Sequence, residues 1–382
     1  MVRARMRIAI VHSFYRSSVP SGENAVVLDQ VDALRERGHV VHLVRRDTDD
    51  EVSDRLYPLK AASRVLTGLG PSPLEELESF RPDVVHVHNL FPGFGTNWLD
   101  RWHGRLVATL HNFRSICANG LLFRGGAQCF ECPDGSYSAA VRHACYHDSR
   151  VATLPLAVRN ARGLDRNALL RRADTVICLS EAAAAVFLRY GLGPGKTVVI
   201  PNGIPVPPIQ VSSVRGSRWL AAGRFTPEKG FLDLVRDWPT TYGLDLIGQG
   251  DEEEAIKAIA GPSIRVLPLL PRAELLEKLA GYQGLVFPSQ CLDSQPTIVS
   301  EALSVGLPIV AHERNSVASL VNQTGSGMVY SDSTELHAAL AAVGLARLTM
   351  GAAARETFLS RFTRSAWISS LEDVYYSHGQ RK

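Results

Sequence analysis

The sequence predicts an α/β protein of two Rossmann-like domains, each a parallel sheet flanked by helices. Three observations predict it. Short apolar, β-branched runs alternate with amphipathic segments in two successive series. A Pro-rich stretch, PNGIPVPP at 201–208, separates the series and can continue neither a helix nor a central strand. The length, 382 residues, exceeds what one ordinary core holds.

The elements follow in order. Residues 6–13, 40–44, 84–88, 106–111 and 175–180 read as buried parallel strands. Between the first two, Val26, Val27, Val31 and Leu34 recur at helical spacing over 22–37, and Gly38 stops that helix. The first domain is placed at 1–204, with a Gly-rich inserted loop at about 115–147, and the linker at 198–213. The second domain is placed at 214–360, with strands at 219–222, 244–247, 264–267, 285–288 and 308–311. Helical stretches fall at 251–260, 272–279 and 297–305. The tail, 361–382, carries Trp367, Leu371 and Tyr375 at i, i+4 and i+8, so one face of it is expected to pack back on the first domain.

Composition excludes some functions. With 41 Lys+Arg against 38 Asp+Glu, net charge is +3, which gives no footprint for nucleic acid but leaves peripheral contact with an anionic membrane open. No uninterrupted apolar run approaches the ~20 residues that span a bilayer. The start, MVRARMRIAIVHS, is basic then apolar, but its apolar stretch is too short for a signal peptide and no small-residue cleavage site follows. A cytoplasmic protein is expected, with peripheral contact at the inner face of the membrane left open and its six cysteines reduced unless a metal holds some of them.

Three segments of the second half carry chemistry. AGRFTPEKG at 222–230 follows a strand and offers two cations, Arg224 and Lys229, with Gly223 and Gly230 beside them. Cations at a strand end suit a diphosphate, although such a segment is also an ordinary surface turn. LIGQGDEE at 246–253 ends a strand in Gly248 and Gly250, which would let backbone approach a ring or ribose, with Asp251 as helix cap. In FPSQCLDSQPTIVSEALSVGLPIV at 287–310, Asp293 and Glu301 stand eight residues apart around a helix start at Thr297. Amides there would face a phosphate, and Glu301, among the apolar Ile298, Val299, Ala302 and Leu303, needs a partner such as vicinal ribose hydroxyls.

This pattern of Pro-Ser, an acidic residue, seven residues, Glu-Ala-Leu and Gly-Leu-Pro-Ile-Val resembles the donor signature of family-4-type, GT-B-fold retaining glycosyltransferases. Asp293 stands where that family has its first Glu. Arg224 with Lys229-Gly230 and the Asn202-Gly203 turn match as well, and the resemblance runs from Arg7 to about Gly327. It implies two domains facing a central cleft and transfer from a nucleotide sugar to a hydroxyl of a glycan, a lipid-linked acceptor or a small glycoside. By resemblance, Arg224 and Lys229 neutralise the diphosphate, Glu301 holds the ribose, and Asp293 faces donor-sugar hydroxyls. The donor set is completed by Asn202, Gly223, Gly248, Gly250, Ser294, Gln295, Pro296, Thr297 and Ile298.

In the first half, Ser21-Gly22-Glu23-Asn24 resembles the family's Gly-Gly-Ala-Glu loop, which faces the leaving diphosphate; only Gly22 remains of the two glycines, and Ser21 also reads as a helix cap. His111, in Thr-Leu-His-Asn, matches a Thr-x-His-Asp-type motif and is assigned to the donor sugar or reaction centre. His86 and His88 share one face of a strand, as half a metal site or, more simply, as lining. Cys117, Cys129, Cys132 and Cys145 are spaced C-x11-C-x2-C-x12-C. A structural zinc is one reading, with His143 and His147 as spare ligands; reduced thiols or a disulfide are the others. A Cys-bearing subgroup of the same transferases implies a loop over the acceptor side. The basic stretch 150–172 suits either a membrane surface or, more simply, a helix packed on the sheet with a solvated basic face.

No carboxylate nucleophile and no Asp-x-Asp motif is visible near the donor loops, so a metal-independent, front-face route with retention is expected. A sugar-nucleotide epimerase on the same fold and a catalytically inactive nucleotide-sugar-binding protein are the alternatives.

Overall fold

The computed structural model describes residues 4–18, 21–208 and 216–377; part of the expected linker, 209–213, lies outside them. The chain forms two compact units. The first holds β1 (Arg7–Phe14), β2 (Val40–Asp47), β3 (Val84–Asn89) and β4 (Leu106–Leu110). A small antiparallel hairpin, β5 (Phe123–Arg124) and β6 (Ala127–Gln128), clusters with the second unit, and β7 (Thr175–Cys178) and β8 (Thr197–Val199) complete the first. The first sheet is parallel, in the order β2-β1-β3-β4-β7-β8. Its central strands are buried on both faces: β1 buries seven of its eight residues and β4 all five, which is why they read as unbroken apolar runs.

The helix Gly22–Glu36 begins where the Ser21 side chain accepts from the Asn24 amide, and Gly38 follows its end at φ +89°. The last helix, Arg364–Tyr376, closes this unit from Ile368 onward. Tyr375 is buried and its hydroxyl lies 2.6 Å from His86 Nδ1. Glu372 accepts from Arg37 Nη2 at 2.9 Å and lies 3.1 Å from His39 Nε2.

The second unit holds β9 (Arg218–Arg224), β10 (Gly243–Gln249), β11 (Ile264–Leu267), β12 (Leu285–Phe287), β13 (Ile309–His312) and β14 (Gly327–Tyr330). All pairs are parallel, in the order β11-β10-β9-β12-β13-β14. The order reverses between β9 and β12, and such a switch point opens a crevice at the strand carboxyl ends. The first sheet reverses likewise between β1 and β3.

The sequence reading missed several elements, among them β8, β14 and the longest helix. Ser333–Arg361 is a 29-residue helix with an 18-residue window of mean hydropathy 1.4, long and apolar enough by length and composition to cross a membrane. Here it is a core helix. Leu336, Leu340 and Val343 join one apolar cluster of the second unit, Ala354 and Phe358 the other, and the helix kinks at Ala346 between them. A buried ion network braces the same unit: Asp245 on β10 accepts from Arg218 Nε at 2.6 Å, Arg265 Nε at 2.8 Å and the Tyr282 hydroxyl at 3.1 Å.

Candidate active site

In the second unit, the end of β9 and the loop after β12 meet at the switch point. Gly230 makes this approach possible. It adopts φ +68°, and a Cβ on it would lie 2.4 Å from the Pro288 carbonyl oxygen. The close approach brings Lys229 against Asp293, an ion pair with both side chains largely buried. Asp293 also accepts from the Ser289 hydroxyl at 2.7 Å. Burial works against charge on Lys229, but the Asp293 carboxylate outweighs it and the ammonium pKa rises above its ordinary value. Arg224 is mostly exposed, 3.4 Å from Glu228.

The helix Thr297–Ser304 starts without a side-chain cap, since Pro296 precedes it. Its first amides are therefore left for another acceptor. Ser294 Oγ is buried there with no partner among the described residues. Gln295 is occupied: it accepts from the Asn202 amide at 2.6 Å and donates to the Asn202 carbonyl at 2.9 Å, so these two residues fasten each other. Glu301 is buried, and the partner it needs is Arg272, whose Nε donates to Oε1 at 2.6 Å. Oε2 has no hydrogen bond among the described residues. Gly248 and Gly250 are explained by packing: a Cβ would meet the Gly223 oxygen at 1.9 Å and the Phe225 oxygen at 2.5 Å, respectively. Close strand contact, and not only ligand approach, demands these glycines.

In the first unit, a cavity of about 320 Å³ opens at the carboxyl ends of β3 and β4. His88 and His111 both line it, with His88 Nδ1 2.8 Å from His111 Nε2. His86 stacks on His88 at 4.3 Å and lies 2.8 Å from the Thr109 hydroxyl. Burial pushes His86 and His111 down to about 3 and His12 down to about 4, and drives His88 well below its ordinary value. The cluster is neutral at physiological pH and works through hydrogen bonds. His88 holds His111 by one ring nitrogen, which fixes the tautomer and direction of the other. His86 is the layer beneath, so the pair is a buried stack in which His88 lines the cavity, in keeping with the lining role rather than the metal half-site.

Gly22 stands at the start of its helix, and a Cβ on it would meet nothing within 4 Å. Beside it, Glu23 was missed by sequence reasoning. Burial pushes its carboxyl up to about 8, while the Arg114 charge and hydrogen bonds with Tyr15 and Asn112 pull it back. Arg114 was missed too, and Arg159 was read only as one charge of the basic stretch 150–172; both line the cavity. The stretch 150–172 is not one helix, although Arg162, Arg166 and Arg171 are solvated as expected. It breaks into Arg150–Asn160, a 3-10 turn Leu164–Arg166 and Ala168–Arg172, and Arg159, Arg162, Arg166 and Arg171 turn toward the cavity.

The zinc reading does not fit. Among the described residues no three His, Cys, Asp or Glu side chains are placed to hold a metal ion. Cys117 Sγ donates to Asn119 Oδ1 at 2.9 Å, Cys129 falls in the β5–β6 segment, and Cys132 and Cys145 pack in an apolar cluster with Ala140 and Leu156. These two thiols serve as small hydrophobes in a satellite core. None of the six cysteines is disulfide-bonded.

Two family models match the chain: "Glycosyltransferase Family 4" over residues 20–206 and "Glycosyl transferases group 1" over 216–344. With two parallel-sheet α/β units, these matches define a glycosyltransferase of GT-B fold. The chain belongs to the family-4 type of that class. Among solved structures, sucrose-phosphate synthase of Thermosynechococcus elongatus is similar at 17% identity and a TM-score of 0.70, over 98% of this chain and 99% of that one. The lipopolysaccharide outer core galactosyltransferase WaaB is similar at 13% identity and 0.65, over 97% and 99%. HepE of Anabaena, solved with UDP, is similar at 16% identity and 0.62, over 97% and 100%. At such identities the likeness concerns the fold. No curated protein matches the sequence.

Proposed function

We propose that the enzyme transfers a sugar from a nucleoside-diphosphate donor with retention of configuration and without a catalytic metal. The observation that carries this reading is the buried Lys229 at the β9–β12 switch point, held charged by Asp293 beside Arg224. A diphosphate entering there meets two cations and the uncapped amides of Thr297 and Ile298. Lys229 exchanges Asp293 for a phosphate oxygen, which frees the carboxylate for donor-sugar hydroxyls. Glu301 Oε2 accepts from the ribose while Arg272 holds Oε1. HepE has been solved with UDP, with UDP and glucose, and with UDP-glucose, so UDP-sugars are the first donors to test.

The first unit receives the acceptor. Its hydroxyl oxygen forms the new bond to the anomeric carbon as the bond from that carbon to phosphate oxygen breaks. The leaving phosphate takes the hydroxyl proton on the same face, and the nucleoside diphosphate departs. Glu23, the cavity's one lining carboxyl among the described residues, is largely protonated at neutral pH and is no nucleophile. Neutral His111 contributes a directed hydrogen bond at the reaction centre. Cysteines without disulfides suit a reducing, cytoplasmic setting.

The test is thermal stabilisation by a panel of nucleotide sugars, where a ligand at ~100 times its Kd stabilises by about 2.7 kcal/mol. Release of nucleoside diphosphate should then depend on acceptor and persist in EDTA. No stabilisation by any nucleotide sugar overturns the donor site, and activity lost to EDTA overturns the metal-free route.

A further inference from the structure

The cavity of the first unit is walled by guanidinium groups. Arg64 and Arg171 are paired, with Glu51 at 2.6 Å and Asp100 at 2.5 Å. Arg114, Arg159, Arg162 and Arg166 also line it, and none has a carboxylate within ion-pair distance among the described residues. Arg114 packs over the Phe91 ring at 5.0 Å and the Tyr146 ring at 5.5 Å, and its Nη1 is buried with no hydrogen-bond partner among the described residues. Arg159 reaches the same place, with Nη2 donating to the Arg114 carbonyl oxygen at 2.6 Å.

Two like charges are therefore held together at the floor, where burial with Arg114 nearby pulls Arg159 down to about 10. The one carboxyl nearby, Glu23, is mostly neutral at pH 7. Ser115 Oγ and His88 Nε2, also in the lining, are buried donors or acceptors without partners. Proteins rarely leave so many buried polar groups unsatisfied unless a ligand supplies the missing partner. A planar guanidinium fork matches phosphate oxygens, and several forks around one hollow match one such group better than a neutral sugar. A cavity of about 320 Å³ takes a phosphorylated monosaccharide.

We propose that the acceptor of this transferase carries a phosphate group close to the hydroxyl that receives the sugar, and that Arg114, Arg159, Arg162 and Arg166 hold it. The assignment rests on the reading that the first unit takes the acceptor. The phosphate could belong to a soluble sugar phosphate or to a lipid-linked one, since the chemistry presented to the arginines is the same.

The experiment measures binding of three probes to the full chain: glucose-6-phosphate, glucose, and vesicles of phosphatidylcholine with or without phosphatidic acid. Arg162→Gln and Arg166→Gln are the main variants because both side chains are exposed and neither replaces a core group. Arg159→Gln is added with its melting temperature, since its hydrogen bonds also brace the floor. Each lost charge-assisted bond should weaken phosphate binding about tenfold or more. Glucose-6-phosphate binding that glucose does not reproduce, weakened in these variants, supports a soluble acceptor. Phosphatidic-acid-dependent vesicle binding weakened in them supports a lipid-linked one. Lys229→Ala separates the two sites: it should abolish UDP binding and leave phosphate-probe binding intact. The proposal is overturned if both phosphate probes bind no better than their neutral counterparts, if the arginine variants bind like wild type, or if Lys229→Ala removes the phosphate-probe signal. Failure of UDP to bind the wild-type chain strikes the donor reading alone.

Discussion

The two units share an architecture and manage charge in opposite ways. In the second, every cation named for the donor has an internal carboxylate: Lys229 has Asp293, Arg224 has Glu228, and the acid Glu301 has Arg272. In the first, four imidazoles are kept neutral by burial and four guanidiniums around the cavity have no carboxylate within ion-pair distance among the described residues. On the proposed function, the difference separates a site that holds and then releases a diphosphate from one that grips and orients an acceptor. Paired cations stay charged in the resting enzyme and trade one anion for another with little reorganisation, which is how preorganised electrostatics lowers a barrier.

The largest expected effect tests the paired side. Lys229→Ala should lower turnover by at least ~100-fold, as loss of one preorganised charge does. A purified variant with native melting temperature and near-native turnover would remove the lysine from the mechanism. Glu301→Ala is expected to act through donor KM first, because its oxygen meets the ribose in ground and transition state alike.

The pH dependence of stability tests the neutral side. His12, His86, His88 and His111 sit below 6.5 when folded, so the unfolded chain binds protons first as pH falls. Their contribution is intact above about pH 6.5 and erodes from there toward pH 4, by about 1.4 kcal/mol per pH unit for each excluded proton. Glu23, raised to about 8, works the other way and offsets roughly one of the four. The second unit has a single histidine lowered in this manner, His312. Its buried Asp245 is depressed below the carboxylate range, and that contribution is lost only as pH drops through about 4 and below. Acid titration followed by hydrogen exchange should therefore open the first unit before the second. Simultaneous loss would contradict the contrast.

The smallest effect concerns the long helix Ser333–Arg361. Leu340, fully buried, should cost about 2–5 kcal/mol when cut to Ala, whereas Leu345, 92% exposed, should change stability by less than about 0.5 kcal/mol as Gln. Urea midpoints for the two variants measure this, and a large loss at Leu345 would mean that its side chain is covered in solution.

Much of this was legible in the sequence. The strands announced themselves because sheets covered on both faces need unbroken apolar runs. Lys229, Arg224 and Glu301 stood out because charges beside glycines and apolar neighbours demand an explanation. Their partners did not. Arg272 lies 29 residues from Glu301 and Asp293 lies 64 from Lys229, and only tertiary packing brings them together. The arginine cavity was hidden for a similar reason: Arg114 and Arg159 lie on separate segments, and the break at 161–167 that brings the exposed Arg162 and Arg166 to the cavity wall has no strong signal beyond Gly163. The long helix was passed over because its apolar residues crowd several faces and Gly344 and Gly351 interrupt the pattern. The cysteine spacing suggested a metal, while the thiols were placed by apolar neighbours that spacing does not reveal.

The tail helix has a consequence for the order in which the molecule matures. Tyr375 completes the hydrogen bonding of His86, and Glu372 answers Arg37 and His39, so the first unit lacks a wall until residues 368–376 have been synthesised. Most of the second unit is one continuous segment, 202–367, and can consolidate earlier. The unit whose sheet is synthesised first is thus completed only after the second unit's segment has been made, and the histidine stack is sealed by a helix that follows both sheets in the chain.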